Sequence, residues 1–277
     1  MNIKQLQAYY GLKWNPFLPE APTEALVRDE STKRLCWRVE HVVMDGGFAM
    51  ITGEPGSGKS IALRQLHAHL SEIPELTVRV LSRPQSHIRD FYREMGDVFG
   101  VDLKLGNRFG SFSILRSQWL SHIKSSMFRP VLLLDEAQET PDEVLSELRL
   151  LSSMNLDSKT ILAVVLAGDS RLPNKLRTTA LLPLESRIRV RHHLDKRPQE
   201  ELVHILSELL VAAGAEALLT PGLIKTMAEH AMGNVRAMMM LGNELLANGA
   251  QRQARQLDED LFFEVFKESI KKKRVGR

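Results

Sequence analysis

The stretch ITGEPGSGKSIALRQL, Ile51–Leu66, decides how the rest of the chain is read. It sets three glycines and a proline between an apolar run and an amphipathic segment, with Lys59 where a helix would open. Glycine loses more backbone freedom on folding than any other residue, so a loop this rich in it needs a bound group to justify it. Gly53-Glu54-Pro55-Gly56-Ser57-Gly58-Lys59-Ser60 matches G-x-x-x-x-G-K-[ST]. The match lies between a strand-like run and a helix, the context the pattern requires. Glycines let successive N–H groups turn inward as an anion-binding nest, and the helix N-terminus adds partial positive charge. These eight residues, with Ile61, are therefore expected to cradle a nucleoside triphosphate. Lys59 is placed to reach the β- and γ-phosphates, and Ser60 to offer its hydroxyl to Mg²⁺. The alternative, a glycine-rich turn with a chance lysine, is disfavoured by the flanking pattern.

Outward from this loop the chain alternates. FAMIT (48–52) reads as the buried strand leading into the loop, and residues 61–70 as the helix leaving it. LTVRVL (76–81), PVLLLDEA (130–137), TILAVVLAGD (160–169) and RIRVRHHL (187–194) read as four more strands, the last more polar. Unbroken apolar runs of this kind mark parallel strands covered on both faces. Helices are expected at about 87–99 and 112–127, and again up to Leu151 with Pro141 at the first helical position. Ahead of the loop, Leu35, Val39 and Val42 share one helical face over 32–44, which Gly46–Gly47 ends. A short helix at Ile3–Tyr10 precedes an irregular, proline-containing arm. After Pro198 the strands stop. Leu202, Ile205, Leu206 and Leu209 recur at helical spacing, and further helices are expected near 221–231, 234–248 and 258–270. The fold class is thus α/β, a mainly parallel five-stranded sheet followed by a small all-helical domain. The expected divisions are an arm over 1–30, a nucleotide-binding domain over 31–196, a helical domain over 197–270 and a basic tail, KKKRVGR, over 271–277. The tail reads as a solvated, charged terminus.

Composition narrows the class. The 277 residues are 43% hydrophobic and 26% charged, as in ordinary globular proteins. A net charge of +3 and a pI of about 9.0 permit a polyanionic partner without demanding one. Cys36 is the only cysteine, which excludes an intramolecular disulfide and a cysteine-based zinc site. No apolar run reaches the roughly 20 residues of a membrane-spanning helix. MNIKQLQAYYGLKWNPF lacks the apolar core of a signal peptide. A cytoplasmic protein without membrane association is expected.

A second half of the site is legible in VLLLDEAQ, 131–138. Asp135, at the C-terminal end of a buried strand, faces the crevice where α/β sheets bind ligands. It is expected to hold Mg²⁺ together with Ser60, and Glu136 to polarise an attacking water. Two acids that merely stabilise a helix N-terminus are the alternative. Joined to the glycine loop, the acids point to binding and hydrolysis of ATP. A switch GTPase would carry a guanine-reading N-K-x-D sequence, and none is present.

The order of these pieces resembles the AAA+ ATPases over nearly the whole chain: the phosphate loop, LLLDEA, a polar residue after the fourth strand, an arginine before the fifth, and GNVR (233–236) opening a late helix. The resemblance implies an AAA+ P-loop core with a helical lid, ATP and Mg²⁺ as cofactors, and assembly into a ring or helical filament. By the same resemblance Asp169 in LAGD takes a sensor position between the acids and the γ-phosphate. Such proteins more often carry Asn, Thr, Ser or Gln there, and Ser170 is the other candidate. Arg187 in LESRIRV fits an arginine finger acting in trans on a neighbour's ATP, with Arg189 as the alternative. Arg236 in GNVR fits a nucleotide-sensing lid arginine. Each arginine could instead be a surface or capping side chain. A trans-acting arginine matters because it can be worth about 10³–10⁵ in rate.

YYGLKWNPF (9–17), RLLSSMNLDSKTILAVVLAGDSRL (149–172) and PLESRIRVRHHL (183–194) look more narrowly like the ExeA-type ATPases and their transposition relatives, the MuB/TniB/TnsC-like helpers. That likeness implies an ATPase, stimulated by assembly and by DNA, that oligomerises on double-stranded DNA, selects target DNA and recruits a DDE-type transposase. In such assemblies DNA meets the segments after the second and third strands. Here Arg83, His87, Arg89, Lys104 and Arg108 supply positive charge, diluted by Asp90, Glu94, Asp97 and Asp102. Contact with phosphates would be sequence-independent and salt-sensitive; a solvated mixed-charge helix is the alternative. Phe91, Tyr92 and Phe99 read as core, Met238–Met240 as packing in the helical domain, and His192–His193 as strand surface rather than metal ligands. Arg28 and Asn15–Phe17 could line an adenine pocket or simply pack. Two other functions stay open. An ExeA-type secretion or cell-envelope ATPase would be expected to carry a membrane segment and a peptidoglycan-binding module. A nucleotide-switch subunit of a defence system would have no need of Glu136 and an arginine finger.

Overall fold

In the computed structural model, which describes residues 2–83, 85–103, 106–155 and 159–266, each expected strand forms. They are β1 (Phe48–Gly53), β2 (Leu76–Leu81), β3 (Arg129–Leu134), β4 (Ala163–Gly168) and β5 (Ile188–Leu194). They make one sheet in the order β2-β3-β4-β1-β5, parallel at every pairing. The helices are α1 (Ile3–Tyr10), α2 (Glu30–Asp45), α3 (Lys59–Ser71), α4 (Ile88–Phe99), α5 (Arg108–Ser125), α6 (Asp142–Ser152), α7 (Arg171–Leu176), α8 (Leu182–Glu185), α9 (Gln199–Ala213), α10 (Pro221–Ala231) and α11 (Val235–Gln251).

The chain divides into two units. One comprises Arg28–Pro55 and Lys59–Leu194 and holds the sheet; the other comprises Met1–Val27, Gly56–Gly58 and the residues from Asp195 onward. In the sheet unit the central strands bury both faces. Leu132 and Leu134 of β3 belong to the core that also contains Phe91, Met95, Trp119 and Leu145. Val131 and Leu133 belong to the core with Leu35, Val39, Leu63 and Leu66. None of the four β3 side chains is more than 1% exposed, which is why the strand reads as an unbroken apolar run. β5 lies at the sheet edge and alternates, with Ile188 and Val190 buried and Arg189 and Arg191 exposed. Helices α2 and α3 contribute to one core, and α4, α5 and α6 to the other. Cys36 of α2 sits in the first of these, where burial pushes its thiol up.

Local chemistry explains where several elements begin. The Asp29 carboxylate accepts from Thr32 N–H at 2.6 Å and caps α2. Asn107 accepts from Gly110 N–H at 2.8 Å, so α5 starts at Arg108 rather than near 112. Pro141 is the cap of α6 rather than its first helical residue. The run over 160–169 is not one strand: Lys159–Thr160 pairs antiparallel with Ser153–Met154, and β4 starts at Ala163. The two short helices α7 and α8 bury Leu172, Leu176 and Leu184 between β4 and β5 in sequence. Glu147, only 2% exposed, ties three helices together. It accepts from Tyr92 Oη at 2.5 Å and from Arg108 Nε at 3.1 Å and Nη2. Burial and the adjacent carboxylate push the Tyr92 phenol well above its usual value.

From Gln199 onward the second unit is built of helices in its described residues. Leu206, Leu210, Leu223, Met227, Met238, Leu245 and Phe262 are buried in it, and residues 259–266 form a further helix. Thr220 and Asn234 cap α10 and α11 through Leu223 N–H and Ala237 N–H. Met238 is buried but Met240 is exposed, so the methionine row is only partly packing. Phe17 is buried and Asn15 Nδ2 donates to Asn243 Oδ1 at 3.0 Å, which makes the Asn15–Phe17 segment part of this unit's packing. Gly56 O accepts from Val235 N–H at 3.0 Å. The basic tail lies outside the described residues.

Candidate active site

The glycine loop leaves β1 at Gly53 and enters α3 at Lys59. Gly56 and Gly58 have φ of 85° and 100°, values a side chain would make costly, and this turn lets neighbouring amides share one side. Lys59 is 7% exposed. Its Nζ donates to Gly53 O at 2.8 Å and to Glu54 O at 3.2 Å, folding the side chain back over the loop. The hydroxyl of Ser57, a residue 3% exposed, is buried with no hydrogen-bond partner among the described residues. A buried orphan oxygen inside a phosphate-type loop fits a ligand that supplies the missing partner. Glu54, Pro55 and Ser60 are exposed, and Ile61 is half-buried.

β3 delivers Asp135 to this loop. Ser60 Oγ donates to Asp135 Oδ2 at 3.2 Å. Within the sheet β3 and β1 flank β4, so the loop, the acids and the end of β4 meet at the carboxyl edge, where open parallel sheets take ligands. One hydroxyl and one carboxylate suit Mg²⁺, a hard cation that keeps several waters and takes few protein ligands.

Glu136 follows in a left-handed conformation, φ 50° and ψ 39°, at a cost on the order of 1 kcal/mol for a residue with a Cβ. Its carboxylate accepts from Gln138 Nε2 at 2.5 Å. Gln138 is 7% exposed, and its Oε1 in turn accepts from Asp169 N–H at 3.1 Å. The Asp169 carboxylate is engaged by Arg171, whose Nε and Nη2 reach Oδ2 at 2.9 and 2.7 Å. Arg171 Nη2 also reaches Glu139 at 2.7 Å. The Arg171 hydrogen bonds, opposed in part by burial and aided by the charge of Lys59, hold the Asp169 carboxyl below the usual carboxylate range. Ser170 is exposed at the start of α7.

Lys59, Ser60, Asp135, Glu136 and Asp169 are thus gathered at one edge of the sheet. Arg187 is held elsewhere: its Nη1 donates to Arg149 O at 3.2 Å and to Ser153 Oγ, at the end of α6. Arg189 is exposed on β5. Arg236 is exposed in the first turn of α11, in the helical unit. Of the basic residues proposed for DNA, Arg83 and Arg89 are exposed, while Arg108 is engaged by Glu147. Lys104 lies outside the described residues. His193 Nδ1 is 3.0 Å from Thr52 Oγ1 on the neighbouring strand. Sequence reasoning missed Gln138, Arg171, Gly168 and Lys175, which donates to Gln138 O at 3.1 Å and Thr140 O at 2.5 Å. The signal that could have raised Gln138 is its place two residues after Glu136, in DEAQ.

Residues 42–176 match the AAA domain family. The chain is 29% identical over 243 residues to general secretion pathway protein A of Aeromonas hydrophila. That match covers 86% of this chain and 44% of the relative, so the chain spans less than half its length. Among solved structures, Cdc6p from Pyrobaculum aerophilum matches with a TM-score of 0.73 at 15% identity, over 91% of this chain and 70% of its own. Drosophila ORC bound to DNA matches with a TM-score of 0.70 at 14% identity, over 96% of this chain and 66% of its own. The fold is accordingly the α/β AAA+ P-loop fold, with a five-stranded parallel sheet and a helical C-terminal region.

Proposed function

We propose that this AAA+ protein binds and hydrolyses ATP with Mg²⁺, and that it works as an oligomer on double-stranded DNA, as a transposition helper that selects target DNA and recruits a DDE-type transposase. The observation that carries the ATPase reading is the meeting of Ser60 and Asp135 at 3.2 Å beside a loop whose buried Ser57 oxygen lacks a partner. Gly53–Ser60 and Ile61 hold the nucleotide, and Ser60 with Asp135 would hold Mg²⁺. When bound, that ion neutralises charge on the phosphate oxygens. Lys59 exchanges the loop carbonyls for phosphate oxygens. Glu136 accepts a proton from the attacking water. Arg171 cancels the charge of Asp169, which would otherwise repel the phosphates at the sensor position. Arg236 senses the nucleotide, and Arg187 or Arg189 reaches a neighbouring copy's site.

The DNA reading draws on the sequence likeness to transposition helpers, on exposed Arg83 and Arg89, and on the fold shared with Drosophila ORC bound to DNA. A second reading, an ATPase of a secretion system, is favoured by the likeness to general secretion pathway protein A. No helix among the described residues is long and apolar enough to cross a membrane, so in that reading a partner or further sequence provides any anchor.

Phosphate release and gel shifts on random duplex DNA, with and without ATP, test both. Glu136→Gln is expected to lower turnover by about 10²–10⁴ while ATP binding survives. DNA binding is expected only with ATP, and to weaken steeply with salt. Turnover without DNA binding in any nucleotide state would transfer the assignment to the secretion reading. Unchanged turnover in Glu136→Gln would remove the base from the proposal.

A further inference from the structure

The link between Glu136 and Gln138 is one step of a polar chain that ends on the backbone N–H of Asp169, just past β4. Glu136 is exposed and, left alone, its side chain would sample many rotamers. Gln138 is buried, and its amide can point only one way. Oε1 accepts from Asp169 N–H, a group that can only donate, so Nε2 is the atom presented to the Glu136 carboxylate. The amide's own backbone is fixed by Lys175, which donates to Gln138 O. Space for the amide exists because residue 168 has no side chain: a Cβ on Gly168 would stand 2.5 Å from Gln138 Oε1. The left-handed turn at Glu136 completes the arrangement by placing residues 136 and 138 within reach of each other.

We propose that Gln138 is the positioning residue for Glu136, holding its carboxylate where it takes the proton of the attacking water, with Gly168 as the seat that makes this possible. The proposal rests on the reading of Glu136 as the base in ATP hydrolysis. Its consequence is that the base is coupled to the tip of β4: any shift of Asp169 N–H moves the amide, and the amide moves the carboxylate.

The test uses the full chain, with steady-state ATP turnover, ATP affinity and thermal melting measured together. Gln138→Ala is expected to lower kcat about 10- to 100-fold with KM for ATP unchanged, the signature of lost orientation rather than lost binding. Gln138→Glu keeps the acceptor for Asp169 N–H but faces Glu136 with a second carboxylate, and is expected to be at least as slow. Gly168→Ala is expected to reproduce the kcat loss by filling the seat. In a Glu136→Gln background, Gln138→Ala should cause no further loss, because it acts only through the base. A normal rate in Glu136→Gln alone would sink the base reading. A slow Glu136→Gln alongside wild-type kcat in Gln138→Glu and Gly168→Ala would sink the positioning role and leave the base standing. So would losses that simply multiply in the double variant. Should Gln138→Ala melt early, the Gln138→Glu and Gly168→Ala pair decides alone.

Discussion

Asp169 shows how one neighbouring cation changes what a carboxylate can do. The family resemblance suggests a sensor position for it, where a neutral polar residue is the usual expectation; in the structure Arg171 claims both of its oxygens, and the folded state lowers its pKa. A carboxyl with a depressed folded pKa adds stability above its unfolded value, near 3.9, and that stability is lost as pH falls through the folded value. Asp169→Asn should therefore melt below wild type at neutral pH, with the gap closing in acid. The gap will be modest because Arg171 is largely exposed; a constant gap from neutral pH down to pH 2 would exclude this linkage. Lys59, Ser60 and Asp135 were legible because nest, helix N-terminus and strand-end acid each leave a local pattern. Gln138 was not. A side chain two residues on is brought beside Glu136 only by the left-handed turn, and glutamate carries no preference that announces one.

At the level of elements, the strands were readable for the reason that makes them stable. β3 is covered on both faces, so its burial leaves a continuous apolar word in the sequence. Leu133→Ala should cost about 2–5 kcal/mol, read as a shift in denaturant midpoint, whereas Val80→Ala on the partly exposed edge strand β2 should stay within about 0.5 kcal/mol. Equal costs at the two positions would contradict the layering. The split of 160–169 was illegible because both pieces are apolar or β-branched, and only the antiparallel pairing with Ser153–Met154 separates them. The bond from Glu147 to Tyr92 and Arg108 was equally hidden, since its three partners come from three helices. Glu147→Ala strands the Tyr92 hydroxyl in the core and should destabilise by about 1–3 kcal/mol; a neutral result would mean that water reaches the phenol.

For the molecule as a whole, the arrangement of Arg187 matters most. It is bonded to the end of α6 within its own chain, away from the acids, and the proposed role on phosphate is therefore one toward a neighbouring copy. On that proposal, Arg187→Ala copies should regain turnover when mixed with Lys59→Ala copies, which lack a working loop but keep the arginine. Absence of rescue, with rescue instead for Arg189→Ala, would assign the proposed finger to Arg189 on β5. One buried thiol gives a way to follow such events without a label. Cys36 faces the core that α2 shares with α3, the helix opened by Lys59. An alkylating reagent can reach it only when that part of the protein opens, and nucleotide held at the start of α3 should make any opening that releases it rarer, by up to the factor 1 + [L]/Kd. The rate at which this single thiol is capped is thus a built-in clock of occupancy, running slower as the site fills.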